Sequence, residues 1–550
     1  MRNTFAKLKL AVLLLPFLAI FHLTLILDAQ EKSAEVKNVI IMIPDGMSAG
    51  GYTLSRWFQG AKPLAMDKLV CGIVKTCSSD SVIPDSAAAA TAYATGFKTH
   101  TKYLGVLPEV SDMPGGARLP KGCGKIPVSN VMEAARLKGI STGMVCTVEI
   151  MHATPAGFSV HYPDRNNFEV IGEQQVFSGF DVIMGGGYNY LLAEKRADKE
   201  DLLSEISGQG YKLVRTPGEM KNSSAKKLWC VFADADMSFE IDRDGSKQPS
   251  LAEMTEKAIE LLSTNKKGFL LMVEGSKIDY AAHSHDPVAL VNDIVAFDKA
   301  VAKALEFAQK SGDTAIIIVP DHGNGGITIG NASISGNYDS TRPEDFISPL
   351  VKAKSSAAGV CNRLGTMPEN EKIKKVFAEE YSIGDLSGNE IAEMKDSLKE
   401  NNGKACGILH TIINSRAKLG WTANGHIGED VLLFAYSPGW RPEGTIDSTD
   451  VAFSIQKLLG LSLKETSLKL FRDALYELEK ARADFKVDNG DGPNPVLTVV
   501  GNGEKIEFPA SRNYAIESGR RIPFDYGQTI YNGVKWYLPA CALELVLKKK

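Results

Sequence analysis

The chain has no surplus of either charge. Its 62 Lys and Arg stand against 66 Asp and Glu, a net charge of -4 over 550 residues. Without a basic excess it is not built around nucleic acid as a dedicated partner, and its acidity is too slight for a solvating tail. It has no fixed-period repeat and no low-complexity tract. A content of 44% hydrophobic and 23% charged residues excludes disordered, collagen-like and coiled-coil chains. None of the eight cysteines has zinc-ribbon spacing. None lies between Met1 and Val70, which excludes a lipid-modified cysteine near the start. Histidine is scarce, at nine residues, so each position carries information.

The start of the chain is distinctive. Arg2, Lys7 and Lys9 precede an apolar run from Leu10 to Leu27. This reads as an export signal over residues 1–29, cut after Ala29; an uncleaved N-terminal anchor is the alternative, since the run reaches the lower end of a membrane span. Either way the rest of the chain is exported, to the periplasm, the cell surface or the medium, with a membrane partner only if the segment is kept. An exported chain permits disulfides without requiring them. Cys71 with Cys77 is the local pairing, Cys361 with Cys406 would staple one segment, and buried free thiols are the alternative.

The body alternates strand and helix patterns. Asn38 to Ile43, Gly268 to Val273 and Thr314 to Val319 are continuous apolar runs, as in strands covered on both faces. Between them lie helix signals, including a Ser250/Glu253 capping box and Asp286-Pro287 opening a long amphipathic stretch. This predicts an α/β fold with a doubly wound, mostly parallel sheet flanked by helices. The core takes residues 30–330 and 420–483. A polar insertion occupies 331–419, and 484–550 forms a β-rich C-terminal appendage.

In such sheets ligands bind at the carboxyl ends of the strands. There the first strand delivers Asp45, the Gly268 to Val273 strand delivers Glu274, Asp279 and His283, and the next delivers Asp321 and His322. Carboxylate with imidazole suits zinc, and oxygen-rich sets admit magnesium. Any one of these residues could be a cap or a surface pair. Three such segments at successive strand ends point to a multi-metal site. Pro84-Asp85-Ser86 before four alanines places Ser86 at or just inside a helix start. Asp85 or Ser86 would serve there as a plain N-cap, or the free N–H groups and helix dipole would stabilise a serine alkoxide and a phosphoryl group.

Asp45, the Asp85-Ser86 to Thr91 run, Glu274 to Asp279 with His283, Asp321-His322 and Gly425-His426 to Asp430 resemble, in order, the signature segments of alkaline phosphatases. The match covers roughly 38–330 and 420–461. The resemblance implies hydrolysis of small-molecule phosphate monoesters by double displacement through a phosphoserine on Ser86. It also implies two zinc ions and a third metal, magnesium. Asp279, His283 and His426 would hold the first zinc; Asp45, Asp321 and His322 the second; Asp45, Thr154 and Glu274 the third metal, with His152 beside it. Arg165 would grip phosphate with its planar fork. A homodimer is expected on the same ground.

Two positions depart from the best-known bacterial pattern: His152 stands in place of Asp and Tyr280 in place of Lys. Tyr280, on the substrate side, predicts weaker phosphate binding, and His152 brings the third metal's identity into question. His285 reads as a donor behind the site or, more commonly for such a residue, as a loop histidine in solvent. A sulfatase would need a modification motif that the alanines after Ser86 lack. Phosphodiesterases of this architecture commonly use Thr and lack a matching arginine. A catalytically inactive surface-binding protein would need a missing ligand, and none is missing.

Overall fold

The computed structural model describes residues 35–114, 122–488, 493–501 and 504–547; the segment read as an export signal lies outside them. Strand β1 (Asn38–Ile43) is buried along its whole length. Val39, Ile41 and Ile43 join one apolar core and Ile40 and Met42 the other, so the unbroken run reflects helices on both faces. The remaining strands of the main sheet are β2 (Val70–Lys75), β3 (Ser141–Glu149), β4 (Val182–Gly186), β5 (Lys212–Val214) and β6 (Leu228–Val231), then β7 (Phe269–Glu274), β8 (Thr314–Ile318), β9 (Val431–Tyr436) and β10 (Gly444–Asp447). Their spatial order is β10-β2-β9-β8-β1-β7-β3-β4-β6-β5. Only β9 runs antiparallel to its neighbours. The register sets Ile43 beside Glu274 and Met42 beside Ile318, which aligns the carboxyl ends of β1, β7 and β8.

The helices include α1 (Ser86–Thr95), α2 (Ala153–Gly157), α3 (Lys277–Ser284), α4 (Pro287–Ser311), α5 (Ala357–Leu364), α6 (Asn402–Arg416) and α7 (Thr449–Leu459). Asp85 caps α1 by accepting from the Ala88 N–H at 3.0 Å, and Gly96, at φ +77°, ends it. Every residue of α1 is buried. Its small side chains let α2 come close: a Cβ on Gly157 would lie 2.6 Å from that of Ala90. Asp286 caps α4 through the Val288 and Ala289 N–H groups, with Pro287 at the first position.

Segment 331–419 is mainly helical, and Ile373, Phe377, Met394 and Leu398 share the core on one face of the main sheet. The C-terminal region forms a five-stranded antiparallel sheet in chain order, from Asp484 to Pro523. Leu497 and Val499 face its core two residues apart, the strand period. Arg512 ties this region to the rest through Glu173 at 3.1 Å and Glu200 at 3.0 Å.

The structure overturns the pairing of Cys71 with Cys77. Both are free thiols. Cys71 lies in β2, which runs extended to Lys75. Those four residue steps carry the chain roughly 13 Å from Cys71, against a ~7 Å limit between bridged Cα atoms. Cys361 and Cys406, also thiols, are in side-chain contact between α5 and α6. Among the described residues no helix is long and apolar enough to cross a membrane.

Candidate active site

The carboxyl ends of the central strands converge on one cluster. Asp45 follows β1 and Glu274 ends β7. Asp279 and His283 sit one turn apart on α3, so a four-residue spacing points both the same way. Asp321 and His322 follow β8. His426 arrives from a two-stranded ribbon in which it pairs with Asn324. His152 and Thr154 stand at the start of α2, after β3. Among the described residues, three ligand groups form: Asp279 with His283 and His426; Asp45 with Asp321 and His322; and Asp45 with His152 and Glu274. In each group the ligand atoms lie within 4.8 Å of one another, and Asp45 belongs to two. Thr154 is buried, with its hydroxyl beside the Glu274 carboxylate.

Backbone partners aim the histidines. His283 Nδ1 faces the Asn424 carbonyl at 3.0 Å and His426 Nδ1 the Pro84 carbonyl at 2.9 Å. Both therefore turn Nε2 toward Asp279, at 3.4 and 3.8 Å. His322 Nε2 lies 3.0 Å from Asp321 and 3.2 Å from Ser86 Oγ. Gly46 is required at the tip of the β1 loop. Its φ is +69°, a Cβ there would meet Asp279 Oδ1 at 2.6 Å, and its N–H donates to Asp321 at 3.0 Å.

Ser86 is the first residue of α1 and Asp85 its N-cap, so the capping reading holds for Asp85. The second oxygen of Asp85 accepts from Arg165 Nη1 at 3.0 Å. Arg165 Nη2 meets His152 Nε2 at 3.4 Å. An arginine can only donate, so His152 accepts and is neutral there. Burial, with the Arg165 charge adding to it, pulls His152 down to about 3. Tyr280 stands edge-on to His152 with ring centres 5.9 Å apart, and Lys277 Nζ lies 4.4 Å from its ring, paired to Asp236.

The electrostatics ask for cations. Burial, then repulsion from Asp321, Asp279 and Glu274, pushes Asp45 well above the carboxylate range. Burial lifts Glu274 to about 8. Both oxygens of Asp45, both of Glu274 and the Thr154 hydroxyl are buried without a hydrogen-bond partner. Burial alone would raise Asp279 too, but the His283 hydrogen bond and the nearby imidazoles outweigh it and hold Asp279 low. Bare acceptors in such density fit divalent cations better than any hydrogen-bonded arrangement.

One supporting residue has no signal in the sequence, and another stands there between two readings. Asn324 donates to Asp279 Oδ1 at 2.6 Å, although 45 residues separate them. His285 is not a solvent histidine. Its Nε2 meets the Ala423 carbonyl at 2.7 Å and its ring stacks on Trp421 at 4.7 Å, which fixes the loop whose Asn424 carbonyl orients His283.

A doubly wound sheet with a serine at a helix start, set among clustered carboxylates and imidazoles, defines a metal-dependent hydrolase of α/β type. Comparison with known proteins narrows this. The alkaline phosphatase family profile matches residues 36–461. Alkaline phosphatase 4 of Bacillus subtilis is 35% identical over 447 residues, covering 78% of this chain and 90% of that protein. The crystal structure of Thermus thermophilus alkaline phosphatase superposes with a TM-score of 0.68 at 27% identity, over 82% of this chain and 96% of that one. A His-to-Asp mutant of the TAB5 alkaline phosphatase, solved with Mg bound in its M3 site, gives 0.55 at 25% identity, over 78% and 99%. The chain belongs to the alkaline phosphatase family and is a phosphomonoester hydrolase.

Proposed function

We propose that the enzyme hydrolyses phosphate monoesters through a phosphoserine on Ser86, with zinc at two of the ligand groups and magnesium at the third. The observation that carries this reading is the position of Ser86: first residue of a buried helix, with its Oγ 3.2 Å from His322 in a ligand group that shares Asp45 with the next. Asp279, His283 and His426 would hold one zinc, Asp45, Asp321 and His322 the other, and Asp45, Glu274 and Thr154 the magnesium. Bound there, the metals would supply Lewis acids for the ester oxygens and lower the pKa of water toward 7, from 15.7, as in the best-studied zinc sites.

Ser86 Oγ attacks phosphorus in line and the alcohol leaves. The new phosphoserine sits at the start of α1, where free N–H groups and the helix dipole stabilise its charge. Arg165, braced by Asp85 and His152, offers two donors in one plane to two phosphate oxygens. Water then attacks from the vacated side, freeing Ser86 and inorganic phosphate. The magnesium in the TAB5 mutant's M3 site supports magnesium as a third-site metal. Export, and a homodimer as the working form, belong to the same proposal; the N-terminal apolar run supports the former and family likeness the latter.

The decisive experiment is Ser86→Ala. Turnover of a chromogenic phosphomonoester should fall on the order of 10³-fold or more, and acid quenching of the unaltered enzyme with labelled substrate should trap phosphoserine at this position. Retained turnover in the variant rules the nucleophile out.

A further inference from the structure

Away from the active site, at the amino ends of the strands, the molecule carries a concentrated positive charge. A cleft of about 590 Å³ is lined by Lys37, Lys138, Lys266, Lys267 and Lys457. All five are exposed, in a protein of net charge -4. Glu35 is the one carboxylate in its lining, and Asp313 stands 3.8 Å from Lys37 Nζ. Lys138 Nζ caps the last carbonyls of α7, at 2.6 Å from Leu459 and 3.1 Å from Gly460. Lys267 Nζ reaches the Lys138 carbonyl at 3.4 Å. Among the described residues neither Lys266 nor Lys267 pairs with a carboxylate. Nothing in the phosphatase reaction uses this cluster: Lys37 precedes β1, Lys138 precedes β3 and Lys266 and Lys267 precede β7, whereas the catalytic groups follow the other ends of those strands.

The chain enters the fold at this cleft. Glu35 lines it, and seven residues separate Glu35 from Leu27, the end of the apolar N-terminal run. Eight virtual bonds reach at most roughly 29 Å. A membrane that takes up the apolar run therefore lies within reach of the lysines, and β1 holds the active site roughly 20 Å further away.

We propose that this lysine cleft docks the enzyme on a membrane surface bearing anionic phospholipid headgroups, with the active site turned to the aqueous side. Each lysine close to such a surface strengthens partition about fivefold at physiological ionic strength, and salt screens the effect.

The test uses the enzyme as purified from expressing cells, with whichever N-terminus it carries. Its co-sedimentation with phosphatidylcholine vesicles is compared with that on vesicles also containing phosphatidylglycerol. The readout is the extra binding that phosphatidylglycerol adds, so any contribution of the N-terminal segment cancels. Phosphatidylglycerol should strengthen binding in a salt-sensitive way. The double variant Lys266→Gln, Lys267→Gln should lose about 25-fold of that increment, while its turnover of a soluble phosphomonoester, unchanged, reports an intact fold. An increment of zero, or one that the double variant keeps, overturns the proposal. So does release by inorganic phosphate at matched ionic strength, which would make the cleft a small-anion site.

Discussion

His152 meets two demands with one ring. Its Nε2 accepts from Arg165 at 3.4 Å, and the residue forms a ligand group with Asp45 and Glu274. Imidazole favours zinc over magnesium more than a carboxylate does. In His152→Asp, equilibrated with both ions and dialysed, elemental analysis should show the magnesium-to-zinc ratio rise. An unchanged ratio means that His152 does not influence the third site. Tyr280 poses a neighbouring question. Lys277 lies against its ring but is neutralised by Asp236, so no free ammonium faces phosphate from this side. In Tyr280→Lys a partly exposed cation worth about 1 kcal/mol should tighten inhibition by inorganic phosphate roughly fivefold. Equal inhibition constants would discard the idea. The two residues mark how far sequence reading reached. Asp45, Glu274, Asp321 and His322 are legible because each follows a recognisable apolar strand. Asn324 is not, because its partner Asp279 lies 45 residues away; His285 leaves two readings open, and the Ala423 carbonyl that decides between them lies 138 residues off.

Elements with local signals are read well. The Ser250/Glu253 capping box opens a helix from Leu251, and Asp286-Pro287 opens α4. Pairings between distant elements leave no such trace. The antiparallel insertion of β9 between β2 and β8 depends on contacts more than 100 residues apart along the chain. The cysteines show the same limit: six residues of separation suggested a local bridge where the chain is extended, while Cys361 and Cys406 meet because α5 packs on α6. Asp286 joins that corner to the site. It caps α4, accepts from the Ala357 N–H at 3.0 Å, lies 3.4 Å from His410 on α6, and stands three residues after His283. Oxidised glutathione should convert the two thiols to a disulfide, releasing two glutathione thiols, with the protein losing two hydrogens by mass. Closing a loop of this length stabilises by about 4 kcal/mol at most in the chain-entropy account, so the melting temperature should rise. Cys361→Ser should abolish both the mass change and the rise.

At the scale of the whole molecule, a net charge of -4 conceals a buried anionic cluster, and its titration makes stability depend on metal. In the metal-free protein Glu274 has its pKa lifted to about 8 and Asp45 is raised as well, in both cases chiefly by burial. The Asp279 hydrogen bond raises His283; burial opposes a rise in His322, but Asp321 overrides it. Each raised group binds more proton folded than unfolded, so its contribution is lost as pH rises through the folded value. His152 and His426 are lowered, to about 3 and about 4, mainly by burial, and act in the opposite sense. Their effect is complete by their ordinary value of 6.5. Below that pH the two sets offset one another, and above it only the raised groups still titrate. The metal-free protein should therefore lose stability from about pH 6.5 through pH 8, at up to about 1.4 kcal/mol per pH unit for each titrating group. With cations in place the same ligands are deprotonated throughout, and this dependence disappears. Melting curves with and without chelator should then separate progressively as pH rises from 6.5 to 8. Activity toward a phosphomonoester should vanish with chelator and return with zinc and magnesium. A gap in melting temperature that is constant across this range would show that the cluster is not where the metals act.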